Sequence, residues 1–402
     1  MRVLFIVTSF QRSEDEVVTP WMLETISRLR ARGVEVTVYV SSYKGLADQV
    51  IKGIPVRRFR YFFKPWERLS HEQTVPDQIR QNKLFLLLVP FYLFFGVLGL
   101  RRVLREQKPD VIHVHWPFPH ALIGYFASRW AGAPMVSQFH GVGLRWVRNK
   151  MPFLTFFLRW VLRRSSLVVA NSSHTRADIE RLGVPCRIEV VPYGSPVPEQ
   201  KETAGPEGME DPDRTRKILF VGRLVERKGL KYLLQAMELI DCPWPVELTI
   251  VGSGPEEKPL RTLAGELGVS ERVKFAGQVS NEDLKSYYSA CDCFVLPAII
   301  DHKGDTEGLG VVLIEALSYR KPVVASSVGG IVDVIRDGET GLLVPEKDPG
   351  TLAAAIARFL TDRALAENLS CQGYEYVKQY FDWDRIIERW IALYDEIAGP
   401  QA

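Results

Sequence analysis

Residues 305–326 read DTEGLGVVLIEALSYRKPVVAS, and the apolar run CFVLPA (293–298) precedes them. Two short apolar runs that flank a helix-like stretch are typical of a βαβ unit in a parallel sheet. Gly308 and Gly310 lie where the helix should start, and they leave the backbone free to present N–H groups to an anion beside the positive end of the helix dipole. The segment therefore predicts a doubly wound α/β domain with an anion site at this turn.

The same alternation of strands and helices occurs on both sides of a charged, Pro- and Gly-rich stretch, residues 195–216. We interpret that stretch as a linker, and a length of 402 residues fits two domains. The predicted boundaries are 1–194 for an N-terminal domain, 217–382 for a C-terminal domain and 383–398 for a last amphipathic helix. The predicted strands are VLFIV (3–7), VEVTVYV (34–40), VIHVH (111–115), PMVSQF (134–139) and LVVAN (167–171) before the linker, and KILFVG (217–222), VELTIVG (246–252), VKFAG (273–277), CFVLPA (293–298) and PVVAS (322–326) after it.

The charges are divided unevenly between the two halves. The formal net charge is only +3, but residues 1–190 contain 28 Lys and Arg against 14 Asp and Glu. A basic surface suits anionic lipid, a phosphorylated acceptor or nucleic acid. The sequence has no helix-turn-helix, zinc-finger or RNP-type motif, so no nucleic-acid partner is expected.

The cysteines and the first residues indicate the compartment. The five cysteines form neither a CxxC redox pair nor a zinc-binding spacing, so we expect reduced thiols. The stretch MRVLFIVTSF (1–10) has one basic residue and no small-residue cleavage site after it, and we interpret it as a strand rather than a signal peptide. Both observations predict a cytoplasmic protein.

The longest apolar segment, LFLLLVPFYLFFGVLGL (84–100), leaves three alternatives open: a buried helix, an interfacial helix or a membrane span. A helix that spans a membrane needs about 20 residues, and this segment is shorter. A single crossing would also place strands of one sheet on opposite sides of the membrane. The stretches 60–69 and 145–164 mix Arg and Lys with Trp and Phe, which is typical of surfaces in an anionic headgroup layer. The sequence thus predicts either a core helix or a peripheral contact with an anionic membrane.

Two pairs of charged residues mark a candidate binding site in the second half. Glu307 and Glu315 flank the glycine turn, and carboxylates bind the paired hydroxyls of sugars and ribose. If the helix starts early, both side chains lie on nearly one helix face. Arg223 and Lys228 follow the strand that ends at Gly222, and two cations in a strand-to-helix turn suit a diphosphate leaving group.

Several motifs together resemble one enzyme family. In chain order they are RARGVEVTVY (30–39), KPDVIHVHW (108–116), SQFHG (137–141), VVANSSHTRADIERLG (168–183), FVGRLVERKG (220–229), IVGSGPE (250–256), FAGQVSNEDLKSYYSACDCFVLPA (275–298), EGLGVVLIEA (307–316) and GGIVDVIRDGETGLLVPEKD (329–348). The chain resembles the retaining GT-B glycosyltransferases of family 4, or group 1, over nearly its whole length and least over 40–105. The resemblance implies two Rossmann-like domains that face each other across a cleft, with the helix 383–398 crossing back to the first domain.

The resemblance also implies roles for particular residues. Arg223 and Lys228 would hold the donor diphosphate, Glu307 the hydroxyls of the donor sugar and Glu315 the ribose. His140, in SQFHG, would lie over the donor sugar. The other residues implied to line the donor site are Gly222, Gly252, Gly254, Gly277, Val279, Gly308, Leu309, Gly310 and Val311.

The function implied is transfer of a hexose, with retention, from a nucleoside-diphosphate sugar to an acceptor hydroxyl, without a metal or other cofactor. The expected acceptor is a glycan or lipid-linked precursor of a polysaccharide. One alternative is an epimerase or hydrolase of nucleotide sugars on the same fold, and the basic, aromatic surface of the N-terminal half argues against it. A non-catalytic binding protein is the other alternative, and the intact set Arg223, Lys228, Glu307 and Glu315 argues against that.

Overall fold

A computed structural model of the protein describes residues 1–16, 18–71, 78, 82–197 and 214–399, so most of the predicted linker lies outside the described residues. The chain forms two compact units. Unit 1 comprises Met1–Pro192 and Ile386–Ala402, and unit 2 comprises Tyr193–Arg385.

Unit 1 is built on an eight-stranded sheet. Its strands are β1 (Arg2–Ile6), β2 (Glu35–Ser41), β3 (Gln49–Ile51), β4 (Ile54–Phe59), β5 (Val111–His115), β6 (Met135–Phe139), β7 (Leu167–Ala170) and β8 (Ile188–Val190). The strand order is β3-β4-β2-β1-β5-β6-β7-β8, and every pair is parallel except β3 with β4. The five strands expected before the linker are present, and β3, β4 and β8 are additional.

Helices join the parallel strands of unit 1. They are α1 (Pro20–Ala31), α2 (Leu88–Glu106), α3 (Pro117–Ala131), α4 (Val142–Lys150), α5 (Thr155–Arg164) and α6 (Ser173–Glu180). Leu4, Ile6, Ile112 and Val114 pack with residues of α2 and α3 in one buried cluster, so these two helices cover the same face of the sheet.

The apolar segment of the sequence forms α2 and the short 3-10 helix Lys83–Leu87 before it. The segment Lys83–Glu106 is long and apolar enough to cross a membrane, but α2, which joins β4 to β5 along the chain, packs on β4 of its own sheet and on α3. The Tyr39 hydroxyl donates a buried hydrogen bond of 2.6 Å to the carbonyl oxygen of Gly96. A Cβ on Gly96 would lie 2.7 Å from the Ile123 Cδ1, so the glycine allows the close approach of α2 to α3. One face of α2 therefore belongs to the core of unit 1.

Unit 2 has a parallel sheet of six strands, one more than expected. They are β9 (Arg216–Val221), β10 (Val246–Val251), β11 (Val273–Gly277), β12 (Cys293–Leu296), β13 (Val323–Ser326) and β14 (Leu342–Val344), in the order β11-β10-β9-β12-β13-β14. The strand that the sequence did not predict, β14, has only three residues, too few for a strand pattern to stand out.

The helices of unit 2 are α7 (Leu230–Leu239), α8 (Glu257–Glu266), α9 (Asn281–Ala290), α10 (Val311–Ser318), α11 (Pro349–Thr361) and α12 (Arg363–Tyr380), and α13 (Trp383–Ala398) follows and runs from unit 2 into unit 1. The helix of the βαβ unit, α10, starts only at Val311, because Gly310 has a φ of 82° and caps it in the left-handed region. Glu307 thus lies in the loop before the helix. The expectation that Glu307 and Glu315 share a helix face is wrong.

Candidate functional site

Two loops meet at the carboxyl edge of the unit 2 sheet because glycines let their backbones touch. Gly222 follows β9 and Gly252 follows β10, and a Cβ on Gly252 would lie 2.0 Å from the Gly222 oxygen. A Cβ on Gly254 would lie 2.2 Å from the Leu224 oxygen. The N–H of Gly222 donates to the Val251 oxygen at 2.9 Å. No residue with a side chain fits at 252 or 254 without moving the loops apart.

A third loop, after β11, adds to the same edge. The Gly277 carbonyl oxygen accepts a hydrogen bond of 2.7 Å from the Gly252 N–H. The Gln278 amide donates to the Ser253 hydroxyl at 3.1 Å, and Val279 is half-buried against the core. Ligands of doubly wound domains bind at this edge of the sheet.

Lys228 and Glu307 form an ion pair at this edge. The Lys228 Nζ lies 2.5 Å from a carboxylate oxygen of Glu307, and Lys228 is buried at the end of the 3-10 turn Glu226–Lys228. Burial alone would raise the pKa of the Glu307 carboxyl, but the charge and hydrogen bond of Lys228, with Arg227 and the Gly308 N–H, hold it below its ordinary value. Glu307 is therefore an ionised carboxylate beside a fixed cation.

Arg223 lies in the same loop as Lys228, with its side chain exposed. In the part of the chain that the structure describes, its guanidinium takes part in no hydrogen bond or ion pair, in contrast to Arg227, which lies 3.9 Å from Asp305. An exposed guanidinium with free donors can bind a phosphate in bidentate fashion.

The turn from Gly308 to Val311 places the N-terminus of α10 next to this pair. Leu309 is buried, and Gly310 caps the helix. The chain also packs tightly behind the turn, since a Cβ on Gly329 would lie 2.1 Å from the Glu307 oxygen. The amide groups at the start of a helix attract anions, so this turn suits a phosphate.

Glu315 lies one turn into α10 and is held by a residue that the sequence analysis did not identify. The Tyr288 hydroxyl donates to a Glu315 carboxylate oxygen at 2.6 Å, and the Tyr288 ring stacks on Tyr319 with centroids 5.4 Å apart. Burial raises the pKa of the Glu315 carboxyl, and the Tyr288 hydrogen bond opposes that rise. The sequence carries no signal for this contact, since Tyr288 reads as an ordinary residue of α9.

In unit 1, His140 lies at the carboxyl end of β6 inside a stack of aromatic rings. Its ring is nearly parallel to that of His115, and the His140 Nε2 lies 3.3 Å from the His115 Nδ1. The rings of Trp116 and Trp21 lie 4.5 Å and 5.0 Å from the His140 ring. His113 and His115 alternate along one strand and so share a face, whereas no sequence signal pointed to Trp21.

Burial keeps these imidazoles neutral. It lowers the pKa of His140 and of His113 to about 3, and it holds that of His115 well below its ordinary value. His113 shares a hydrogen bond of 2.7 Å with the Tyr394 hydroxyl of α13. The rings stack rather than converge on one point, and among the described residues no group of three or more His, Cys, Asp or Glu is placed to hold a metal ion.

Two families match the chain, one on each half. Residues 206–376 match the family described as "Glycosyl transferases group 1", and residues 18–194 match the "Glycosyl transferase 4-like domain". The two matches together span most of the chain, and neither supports the epimerase alternative.

Curated relatives agree with these families, and a solved structure agrees with the fold. The chain is 31% identical to a phosphatidyl-myo-inositol mannosyltransferase of Mycobacterium leprae, over 74% of this chain and 76% of that one. It is 30% identical to a GDP-mannose-dependent alpha-(1-6)-phosphatidylinositol monomannoside mannosyltransferase of Mycobacterium tuberculosis, over 75% and 79% of the two chains. The structure of a sucrose-phosphate synthase from Thermosynechococcus elongatus superposes with a TM-score of 0.75 over 98% of this chain and 99% of that one, at 23% identity. The chain therefore belongs to the group 1, or family 4, glycosyltransferases, and its two Rossmann-like α/β domains have the GT-B architecture.

Proposed function

We propose that the protein transfers a hexose from a nucleoside-diphosphate sugar to an acceptor hydroxyl with retention at the anomeric carbon. The observation that carries the proposal is the ion pair of Lys228 and Glu307 beside the exposed guanidinium of Arg223 and the N-terminus of α10. Two cations and a helix N-terminus suit a diphosphate, and an ionised carboxylate suits the hydroxyls of a sugar.

In the proposed reaction, the bond between the anomeric carbon and the diphosphate oxygen breaks, and a bond from that carbon to the acceptor oxygen forms on the same face. The proton of the acceptor hydroxyl passes to the departing phosphate. Arg223, Lys228 and the amides of 308–311 stabilise the charge that develops on the diphosphate. These groups would do the work that a metal ion does in other transferases, so the proposed reaction uses no metal.

The remaining site residues bind the donor. Glu307 holds the sugar hydroxyls, and Glu315 holds the ribose. A contact of His140 with the donor sugar stays a prediction from the family resemblance. Gly222, Gly252 and Gly254 bring two of the loops into contact, and the Gly277 carbonyl joins the third through its hydrogen bond with Gly252. Val279 would line the nucleotide site beside them. We expect GDP-mannose among the donors to test first, because one relative is GDP-mannose-dependent by name.

The proposed acceptor is a lipid-linked or cell-surface glycan precursor. The names of the two curated relatives given above contain a phosphatidylinositol lipid, and residues 1–190 carry an excess of basic residues. A basic surface favours approach to an anionic membrane. We place the enzyme in the cytoplasm, on the inner face of the membrane.

Thermal shifts with a panel of nucleoside diphosphates and their sugars, with and without a chelator, test the donor site. One diphosphate should stabilise the protein by about 2.7 kcal/mol at a hundredfold excess over its Kd, unchanged by the chelator. Arg223→Ala should abolish that shift, whereas Arg358→Ala, an exposed arginine on α11, should keep it. No shift with any diphosphate would refute the donor site. The anomeric coupling in the NMR spectrum of the product tests retention.

A further inference from the structure

The outer face of α2 and of the turn Lys83–Leu87 is apolar and exposed. Its side chains are turned away from the sheet, since Phe94 is 63% and Leu87 is 66% exposed. Contiguous exposed apolar surface of this kind marks a site of contact with a membrane, another protein or a ligand. The exposed apolar residues of α2 and this turn are Leu84, Leu86, Leu87, Phe91, Phe94, Phe95 and Leu98.

Aromatic residues after β4 extend this surface. The Phe62 ring lies edge-on to the Phe91 ring, with centroids 5.4 Å apart, and the neighbouring Phe63 is 72% exposed. We call the exposed apolar side chains of 62–66 and 84–98 the apolar face.

Basic side chains lie beside the apolar face, at the C-terminal end of α2. Arg101 and Arg105 are exposed in the last turns of α2, and the Arg101 guanidinium lies 5.4 Å above the ring of Trp130. The sequence contains no Asp or Glu from 82 to 105, and none between Asp110 and Asp178. Positive charge therefore predominates next to the apolar face.

The helices next to α2 also carry exposed aromatic and basic residues. α3 packs against both α2 and α5, and the Tyr125 ring of α3 lies 5.1 Å from the Trp160 ring of α5. Phe156 on α5 is 66% exposed, and Arg163 and Arg164 are exposed at its end. Exposed aromatic and basic residues thus occur on α2 and on α5, the two helices that pack on either side of α3.

We infer that the apolar face inserts into one leaflet of a bilayer with anionic headgroups, so that α2 lies in the membrane interface. Apolar side chains on one helix face and arginines beside it match the apolar and anionic layers of such a leaflet. The other face of α2 stays on the sheet, held by the Tyr39 hydrogen bond to Gly96, so the helix does not cross the membrane. The inference deepens the proposed function, on which it rests for a membrane-borne acceptor.

A lipid surface fits better than a second copy of the chain. A symmetric dimer through the apolar face would bring the arginines beside it close to those of the other copy, and like charges in an interface oppose association. Anionic headgroups neutralise the same arginines.

Flotation of the full-length protein with vesicles tests the inference. The protein should float with vesicles of phosphatidylcholine and phosphatidylglycerol, bind vesicles of phosphatidylcholine alone at least about tenfold more weakly, and lose binding as salt rises. The double variant Phe94→Ser with Leu98→Ser should bind the anionic vesicles at least about tenfold more weakly, because two inserted side chains are lost. Arg101→Gln with Arg105→Gln should reduce the dependence on salt.

A matched control replaces an exposed apolar residue of unit 2. Leu239, at the end of α7, is 52% exposed, and Leu239→Ser should bind vesicles as the unchanged protein does. Equal binding by the Phe94 and Leu98 double variant and the unchanged protein would overturn the inference. A lack of binding to anionic vesicles would also overturn it. If the unchanged protein instead forms a concentration-dependent dimer that the double variant abolishes, the apolar face contacts a second copy rather than a membrane.

An environment-sensitive fluorophore distinguishes insertion from adsorption. Attached to Phe94→Cys in a Cys371→Ser background, which removes the exposed native cysteine, it should shift to shorter wavelengths and be quenched by lipids brominated near the headgroup. A fluorophore at Leu239→Cys should not respond. An unchanged spectrum at position 94 would refute insertion.

The thermal shift with nucleoside diphosphate is measured in parallel. The double variant should keep it, so failure at the membrane and failure at the donor site give different results.

Discussion

The Nζ atom of Lys228 and a carboxylate oxygen of Glu307 lie 2.5 Å apart although 79 positions separate the two residues in the chain. The contact joins the turn after β9 to the loop before α10, so the two central strands of the unit 2 sheet, β9 and β12, each contribute one partner. Because Lys228 is buried, its charge needs that carboxylate, and removal of either partner would leave the other without compensation. The site thus has a cation and an anion fixed in place before any ligand arrives.

Loss of the Lys228 charge should reduce turnover more than donor binding. We expect Lys228→Ala to lower kcat by about 10²- to 10³-fold, because the amine stabilises charge that grows only as the diphosphate departs. Steady-state kinetics with the donor identified by thermal shift measure this. Lys231→Ala, an exposed lysine at the start of α7, should leave kcat unchanged. A rise in KM at constant kcat would contradict the role in the transition state.

The ion pair should also contribute stability that depends on pH. The folded-state pKa of Glu307 lies below its ordinary value, so the stabilisation is present above the unfolded pKa of about 4.3 and is lost as the pH falls through the folded pKa. At pH 7 the melting temperature of Glu307→Gln should lie below that of the unchanged protein, and the difference should shrink below about pH 4. A difference that persists undiminished in acid would show that Glu307 stabilises the fold by packing rather than by charge.

The strands that lie near the site follow from the sequence because they are continuous apolar runs. Residues 111–115 were expected as a strand and form β5, since a strand that is buried on both faces shows its pattern directly. In contrast, β4 contains Arg57 and Arg58 and lies near the edge of its sheet, so its pattern is interrupted. The start of α10 depended on the backbone of Gly310, whose φ of 82° no pattern of apolar residues can reveal.

The candidate site was predictable as a set of residue types but not as a set of contacts. Glycines and charges after successive strands mark Gly222, Gly252, Lys228 and Glu307, because parallel strands all end at one edge. The hydrogen bond of Tyr288 to Glu315 could not be foreseen, since it depends on how α9 packs against α10.

The buried imidazoles should make unit 1 sensitive to mild acid. The folded-state pKa of His113 is about 3, below the ordinary value of about 6.5. The unfolded chain therefore takes up the proton first, and stability is lost as the pH falls below about 6.5, by about 1.4 kcal/mol per pH unit for each such imidazole. His113→Gln, which can still hydrogen-bond the Tyr394 hydroxyl, should lose less stability than the unchanged protein between pH 7.5 and 5.5, measured by urea unfolding. His302→Gln, at an exposed position, serves as the control, and an equal loss in all three proteins would contradict the prediction.

Gly229 and Gly268 have the same φ of 68° but different surroundings, so together they separate backbone strain from steric clash. A Cβ at 268 meets nothing within 4 Å, and Gly268→Ala should cost only the strain of a left-handed alanine, about 1 kcal/mol. A Cβ at 229 would lie 1.8 Å from the Pro297 oxygen, so Gly229→Ala must push the start of α7 away from the end of β12. We expect a loss of about 3 kcal/mol or more there, together with weaker binding of nucleoside diphosphate, because Lys228 precedes Gly229 directly. Urea unfolding and thermal shifts measure the two effects, and similar losses in the two variants would mean that the turn at Lys228 yields without strain.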